Sequence, residues 1–158
     1  MTDLLVKLYD LPAAEAHSKV LAGQGIVLRR AMASEKMVVV GWVQSRFGEG
    51  WAGECDVAFG RRPIACLIAV CSSRVVGFAC HDSTCRNFFG PIGIDPAFRR
   101  KGVGRALTLA TLGAMADSGY AYAIIGSAGP TSFFEQCLAV VPIPGSTPGI
   151  YPPTAAKG

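Results

Sequence analysis

The stretch that most constrains this chain is Phe88–Arg105, FFGPIGIDPAFRRKGVGR. An apolar run of strand length, Phe88–Ile94, breaks at Asp95-Pro96, because proline cannot donate to a sheet ladder. Arg99, Arg100, Lys101 and Arg105 then place four cations within seven residues, and Gly102 and Gly104 bracket Val103. An apolar helical pattern follows from Ala106 to Ala116. Strand, basic loop, glycine turn and helix in that order make a place to hold an anion. Glycine lets the backbone bend sharply and come close to a ligand. The first helical turn leaves backbone N–H groups without intrahelical partners, and the positive end of the helix dipole favours phosphate.

Two other nucleotide motifs fail on the residues. A dinucleotide fingerprint needs a third small residue after Gly-x-Gly and an acid about twenty residues later. Here the third position is Leu107 and no acid lies near Tyr122. The Gly-x-x-x-x-Gly-Lys-Ser/Thr phosphate loop is absent. The segment Ile94–Leu107, IDPAFRRKGVGRAL, resembles instead the acetyl-CoA signature of the GNAT (GCN5-related) N-acetyltransferases. Arg99, Gly102 and Gly104 match that family's Arg/Gln-x-x-Gly-x-Gly/Ala core. The resemblance extends more weakly from about Ile26 to about Val141. It implies an α/β (α+β) chain with the three-layer acyl-CoA N-acyltransferase fold: a mixed, mostly antiparallel central sheet with helices on both faces.

Composition supports one domain over 1–158. Its 158 residues can enclose a sizeable core, and 51% apolar against 16% charged residues excludes disorder. We expect 1–25 to be an N-terminal extension and 142–158 a Pro/Gly-rich C-terminal tail whose last residues, Lys157-Gly158, fray. The N-terminus lacks the basic start of a secretory signal, so the cytoplasm is the expected compartment. The apolar pattern at Ala106–Ala116 is too short for a bilayer, so no membrane association is expected. Six cysteines occur without a C-x-x-C and with only two histidines, so no metal is expected. Cys66, Cys71 and Cys80 fall in apolar runs and read as small core residues. The net charge of +4 suits an anionic small molecule, and the cations lack the aromatic interleaving of a nucleic-acid platform.

Read in order, Leu4–Leu8 is a short strand, Ala13–Leu21 a helix and Ile26–Arg30 the first main strand. Ser34 is placed to cap a helix beginning at Glu35. The run MVVVGWV is rich in β-branched residues, yet Val39, Val43 and Phe47 share a helical face, and the family resemblance favours helix. Trp51–Phe59 is a second helix. Ile64–Cys71 and Val75–His81 form a hairpin about Ser72-Ser73-Arg74. The helix after Gly102 ends at Gly119 and joins Phe88–Ile94 to a strand at Tyr120–Ile125. A right-handed crossover makes those two strands parallel. A helix from Pro130 to about Leu138 and a strand Val140–Ile143 follow, with Pro142 confining that strand to an edge.

The resemblance assigns coenzyme contacts to Arg99, Arg100, Lys101, Gly102, Val103, Gly104 and Arg105, with backbone amides from Lys101 to Arg105 on the pyrophosphate. Ile92, Gly93 and Ile94 would line the pantetheine. Gly93 is the residue that tolerates a bulge, freeing an amide near Ile94 to polarise the thioester oxygen. Phe133 would pack on the coenzyme. The implied activity is transfer of acetyl from acetyl-CoA to a primary amine. The tyrosine that commonly serves as acid in such enzymes is replaced by Phe134, and an asparagine seven residues earlier by Ser127. Tyr151 is the hydroxyl in line to substitute. Glu54 is the candidate base, with Glu49, Asp56, His81 and Asp82 as alternatives. A non-catalytic acyl-CoA sensor on the same fold is the other reading, and a homodimer is compatible with the apolar composition.

Overall fold

The computed structural model describes residues 1–153 and Ala155; the expectation for Lys157-Gly158 falls outside the described residues. Seven strands form one sheet: β1 (Leu4–Lys7), β2 (Ile26–Arg30), β3 (Cys66–Cys71), β4 (Arg74–His81), β5 (Phe88–Ile94), β6 (Tyr122–Ile125) and β7 (Val140–Pro142). Five helices accompany them: α1 (Glu15–Ala22), α2 (Lys36–Phe47), α3 (Glu49–Phe59), α4 (Val103–Asp117) and α5 (Thr131–Cys137). The strand order is β2-β3-β4-β5-β6-β1-β7. Every neighbouring pair is antiparallel except β5 and β6, which α4 connects in parallel. The sheet therefore has the mixed, mostly antiparallel character expected.

The continuous apolar runs of β3 and β4 reflect burial on both faces. Along β3, Leu67 and Ala69 point to one core while Cys66 and Ile68 point to the other. The first core is closed by α4, through Val103, Leu107, Leu112 and Met115, with Leu21 of α1 and Phe134 of α5. The second is closed by α2 and α3, through Val39, Val43, Cys55, Ala58 and Phe59 against Phe78 and Cys80. Burying each such Leu, Val or Phe side chain is worth roughly 1.5–3 kcal/mol. That packing decides the MVVVGWV run in favour of helix: Val39 and Val43 are fully buried while Met37 and Val38 stay exposed.

The β3–β4 hairpin turns through Ser72 and Ser73, both at positive φ (48° and 61°), the left-handed geometry of a two-residue turn that matches strand twist. Pro142 ends β7 at the sheet edge, as its missing donor requires. The cap expected from Ser34 is replaced by Glu35. Its carboxylate accepts the Met32 N–H at 2.8 Å and binds Arg29 at 2.6 Å and 2.8 Å, locking the turn before α2. Residues 1–25 supply α1 and also β1, which sits inside the sheet between β6 and β7.

Candidate active site

Strands β5 and β6 pair only through Phe88 with Ile124 and Phe89 with Ile125. Beyond that point β5 stays on β4 and β6 parts from it. The Asp95 N–H donates to the Val76 carbonyl at 2.9 Å, and the register holds Gly93 opposite Phe78 and Ile94 opposite Gly77. Alternation along an antiparallel ladder then turns the Gly93 and Asp95 amides toward β4 and those of Ile92 and Ile94 into the opening.

The bulge lies elsewhere than expected. From Ala79 to His81, β4 advances two residues, while β5 passes three between Ile92 and Phe89. The extra residue falls at Gly90-Pro91, where Gly90 takes φ 117° and proline has no ladder donor to lose. Gly93 serves a different purpose. A Cβ there would stand 2.5, 2.7 and 2.9 Å from three carbons of the Phe47 ring. The glycine lets that ring lie flat on the strand.

A cleft of about 790 Å³ runs from this opening to the start of α4. Ile92, Gly93 and Ile94 form its strand wall, and Arg99, Arg100, Gly102, Gly104 and Arg105 its basic end. Asp95 shapes the loop between them by accepting the Ala97 N–H at 2.9 Å and pairing with Arg46 at 3.2 Å. Gly102 precedes α4 with φ 86°, so its glycine is dictated by backbone geometry. At Gly104 a Cβ would press on Phe133 at 3.2 Å, so the absent side chain lets that ring close over the first helical turn. The Arg105 Nε is buried without a hydrogen-bond partner, while its Nη1 donates to the Gln136 carbonyl at 3.2 Å.

Two of the five non-glycine residues from Arg99 to Arg105 do not line the cleft. The Lys101 ammonium lies 5.1 Å from the Phe98 ring centre, and Val103, the first residue of α4, is buried in the core. Phe133 lines the cleft. Phe134 also reaches it but is mostly buried, edge-on to Phe89 at 6.0 Å, so this ring completes the core.

Trp51 of α3 forms the far wall, stacked on Phe47 at 5.2 Å between centres. One turn along the same helix face sits Glu54, whose carboxylate accepts the Thr84 hydroxyl. Tyr151 reaches the same place. Its Oη, with the Phe88 ring, occupies the space a Cβ on Gly126 would need. Burial pushes the Tyr151 phenol above its ordinary value, the Glu54 and Asp3 charges push the same way, and the Thr84 hydroxyl opposes them. Glu54 and Tyr151, singled out separately in the sequence, thus share Thr84 at the closed end of the β5–β6 opening. Neither lines the 790 Å³ cleft itself.

The other candidate bases are engaged elsewhere. Asp56 pairs with Lys36 at 2.9 Å. His81 is buried with Nδ1 2.8 Å from Asp82, which also accepts from Tyr120 and from the Asn87 N–H at 2.8 Å each. Burial pushes the Asp82 carboxyl up, but those hydrogen bonds outweigh it and hold it below the usual range. Two anchors escaped the sequence reading. Asp3 accepts the Ser127 N–H at 2.7 Å, and its own N–H donates to Ser146 at 2.8 Å, which ties the tail bearing Tyr151 to the end of β6. Thr84 lies in a polar loop with nothing in its local pattern to mark it.

No protein-family model matches the sequence, and no curated protein matches it significantly. Solved structures do match. The chain is similar to the GCN5-related glucosamine N-acetyltransferase region of a fungal multi-domain GH3 β-N-acetylglucosaminidase, at 13% identity and TM-score 0.73, over 90% of this chain and 19% of that one. It is similar to a GCN5-related N-acetyltransferase from Sphaerobacter thermophilus, at 17% identity and TM-score 0.61, over 89% of this chain and 48% of the other. An aminoglycoside acetyltransferase from an uncultured soil metagenomic sample matches at 10% identity and TM-score 0.54, over 72% and 88% of the two chains. The chain spans about a fifth to a half of the length of the first two. It therefore adopts the GCN5-related N-acetyltransferase fold. Among the described residues no helix is long and apolar enough to cross a membrane.

Proposed function

We propose that the chain is an acyl-CoA-dependent N-acyltransferase that moves acetyl from acetyl-CoA to a primary amine. The observation that carries this reading is the parting of β5 from β6 beside the Gly102–Gly104 turn. It leaves the Ile92 and Ile94 amides facing a cleft whose other end is basic. The diphosphate lies on the backbone amides that open α4, with Arg99, Arg100 and Arg105 adding attraction. The pantetheine arm follows β5 and brings the thioester carbonyl to the Ile94 N–H, a donor fixed before charge develops.

The amine enters from the side of Trp51 and Glu54. It must be neutral to attack, and Glu54 takes its proton, directly or through Thr84. The N–C bond forms, the carbonyl oxygen becomes an oxyanion on the Ile94 amide, and collapse breaks the C–S bond. Tyr151, kept protonated by its surroundings, returns a proton to the departing thiolate. In this reading 1–158 works as one unit in the cytoplasm, without metal, nucleic acid or membrane, and self-association is tested by light scattering. Binding without transfer is the second reading. It draws support from Phe134, a ring with no proton to give where a tyrosine hydroxyl would be expected.

Calorimetry with acetyl-CoA, followed by thiol release across a panel of amines, separates the possibilities. Binding with turnover supports the enzyme, binding without turnover on any amine supports the sensor, and no binding refutes both. NAD and ATP should not raise the melting temperature, whereas acetyl-CoA at a hundredfold excess over Kd adds about 2.7 kcal/mol.

A further inference from the structure

On the sheet face away from α4, the fold assembles a group the cysteine spacing did not reveal. Cys55 of α3, Cys66 of β3 and Cys80 of β4 are all fully buried, and their three Sγ atoms lie within 4.8 Å of one another. Cys66 and Cys80 are register partners on adjacent strands, and α3 lowers Cys55 onto them. Three sulfurs about 2.3 Å from one ion, drawn into a pyramid by a lone pair with angles of about 95–100°, stand roughly 3.5 Å apart. The sulfurs already stand within about 1.3 Å of that spacing. No fourth His, Cys, Asp or Glu ligand joins them among the described residues.

We propose that Cys55, Cys66 and Cys80 form a buried three-sulfur site for a soft trivalent metalloid, As(III), outside and independent of the coenzyme cleft. Thiolate sulfur selects soft ions. Charge selects among them. Three thiolates leave a net charge of minus two on copper(I) and minus one on zinc(II), but zero on As(III). The surroundings are apolar: Val39, Ala58, Ile68 and Phe78 belong to the same core. A neutral complex is the one such a core accepts. Loading balances without an oxidant. As(OH)₃ exchanges three As–O bonds for three As–S bonds, and each thiol proton leaves with a hydroxide as water.

The test uses the full chain, reduced, with sodium arsenite. Native mass spectrometry should find one arsenic per chain with three protons lost, and X-ray absorption should find three sulfur neighbours and no oxygen. Cys55→Ala, Cys66→Ala and Cys80→Ala should each weaken retention at least tenfold, while Cys85→Ala, at an exposed cysteine, should not. Equimolar zinc(II) or copper(I) should fail to displace the arsenic. The proposal is overturned by absence of the complex in folded protein, by undiminished retention in Cys55→Ala, or by displacement by zinc or copper. If a variant does not fold, the absorption spectrum of the wild-type complex decides: an oxygen neighbour, or fewer than three sulfurs, overturns it.

Discussion

Replacing Gly93 by alanine tests how the aromatic wall of the cleft is held. The added Cβ would stand 2.5–2.9 Å from three Phe47 carbons, against an ordinary contact of at least 3.4 Å, so the ring must retreat by up to about 0.9 Å. It has little freedom to do so, because Phe47 packs on Trp51 at 5.2 Å, Trp42 at 5.7 Å and Phe78 at 5.8 Å. Overpacking of this kind costs about 1–3 kcal/mol, and losing one aromatic contact costs about 0.5–1.5 kcal/mol. We expect Gly93→Ala to lose about 2 kcal/mol in urea denaturation and to melt about 4–8 °C lower. Truncating the ring should remove the penalty. In a Phe47→Ala background the same glycine substitution should cost less than about 0.5 kcal/mol, the additive limit for uncoupled sites. A loss below that limit in the wild-type background would refute the reasoning, as would an equal loss in both backgrounds.

Gly104→Glu should abolish acetyl-CoA binding in calorimetry while the protein remains folded, because bulk and negative charge enter the first turn of α4. Tyr151→Phe should lower kcat about tenfold or more with coenzyme affinity unchanged; in the wild type, turnover should not fall as pH rises toward 10, since burial holds that phenol above its usual value. Glu35 is held down to about 2, chiefly by its hydrogen bond from Arg29. Its folded pKa lies below the ordinary 4.5, so its contribution is complete above 4.5 and lost as pH falls toward about 2. With the pair partly exposed, Glu35→Gln should cost about 0.5–1 kcal/mol at pH 7 and almost nothing at pH 2, read from urea midpoints. Gly53→Ala, at a helical position where a Cβ meets nothing within 4 Å, should stiffen α3 and slow arsenite uptake severalfold, followed by stopped-flow absorbance.

The parts of this architecture written in local pattern were readable in advance. Ile26–Arg30 and Phe88–Ile94 carry their bounds in apolar runs ended by Gly, Pro or charge, and the Gly102 turn announces α4. The crossover rule then gives the one parallel pair. What escaped depends on partners distant in sequence. The bulge at Gly90-Pro91 is a matter of register against β4, invisible along β5 alone, and Gly93 needed the Phe47 ring to explain it. Tyr151 joins Glu54 and Thr84 at one place while Asp3 fastens the tail beside Ser127. Cys55, Cys66 and Cys80 are separated by eleven and fourteen residues, and no spacing rule marks three thiols brought together by a helix crossing a hairpin.

The place of β1 has a consequence for how the chain is made. Leu4 pairs with Ile125, which is synthesised 121 residues later, and among the described residues β7 pairs only with β1. β1 therefore waits for partners made long after it, and a fragment trimmed to Ile26–Val141 would strand β7 and open the flank of β6. Closing so long a loop is slow, and the terminal ribbon should be the last region to gain protection from hydrogen exchange during refolding.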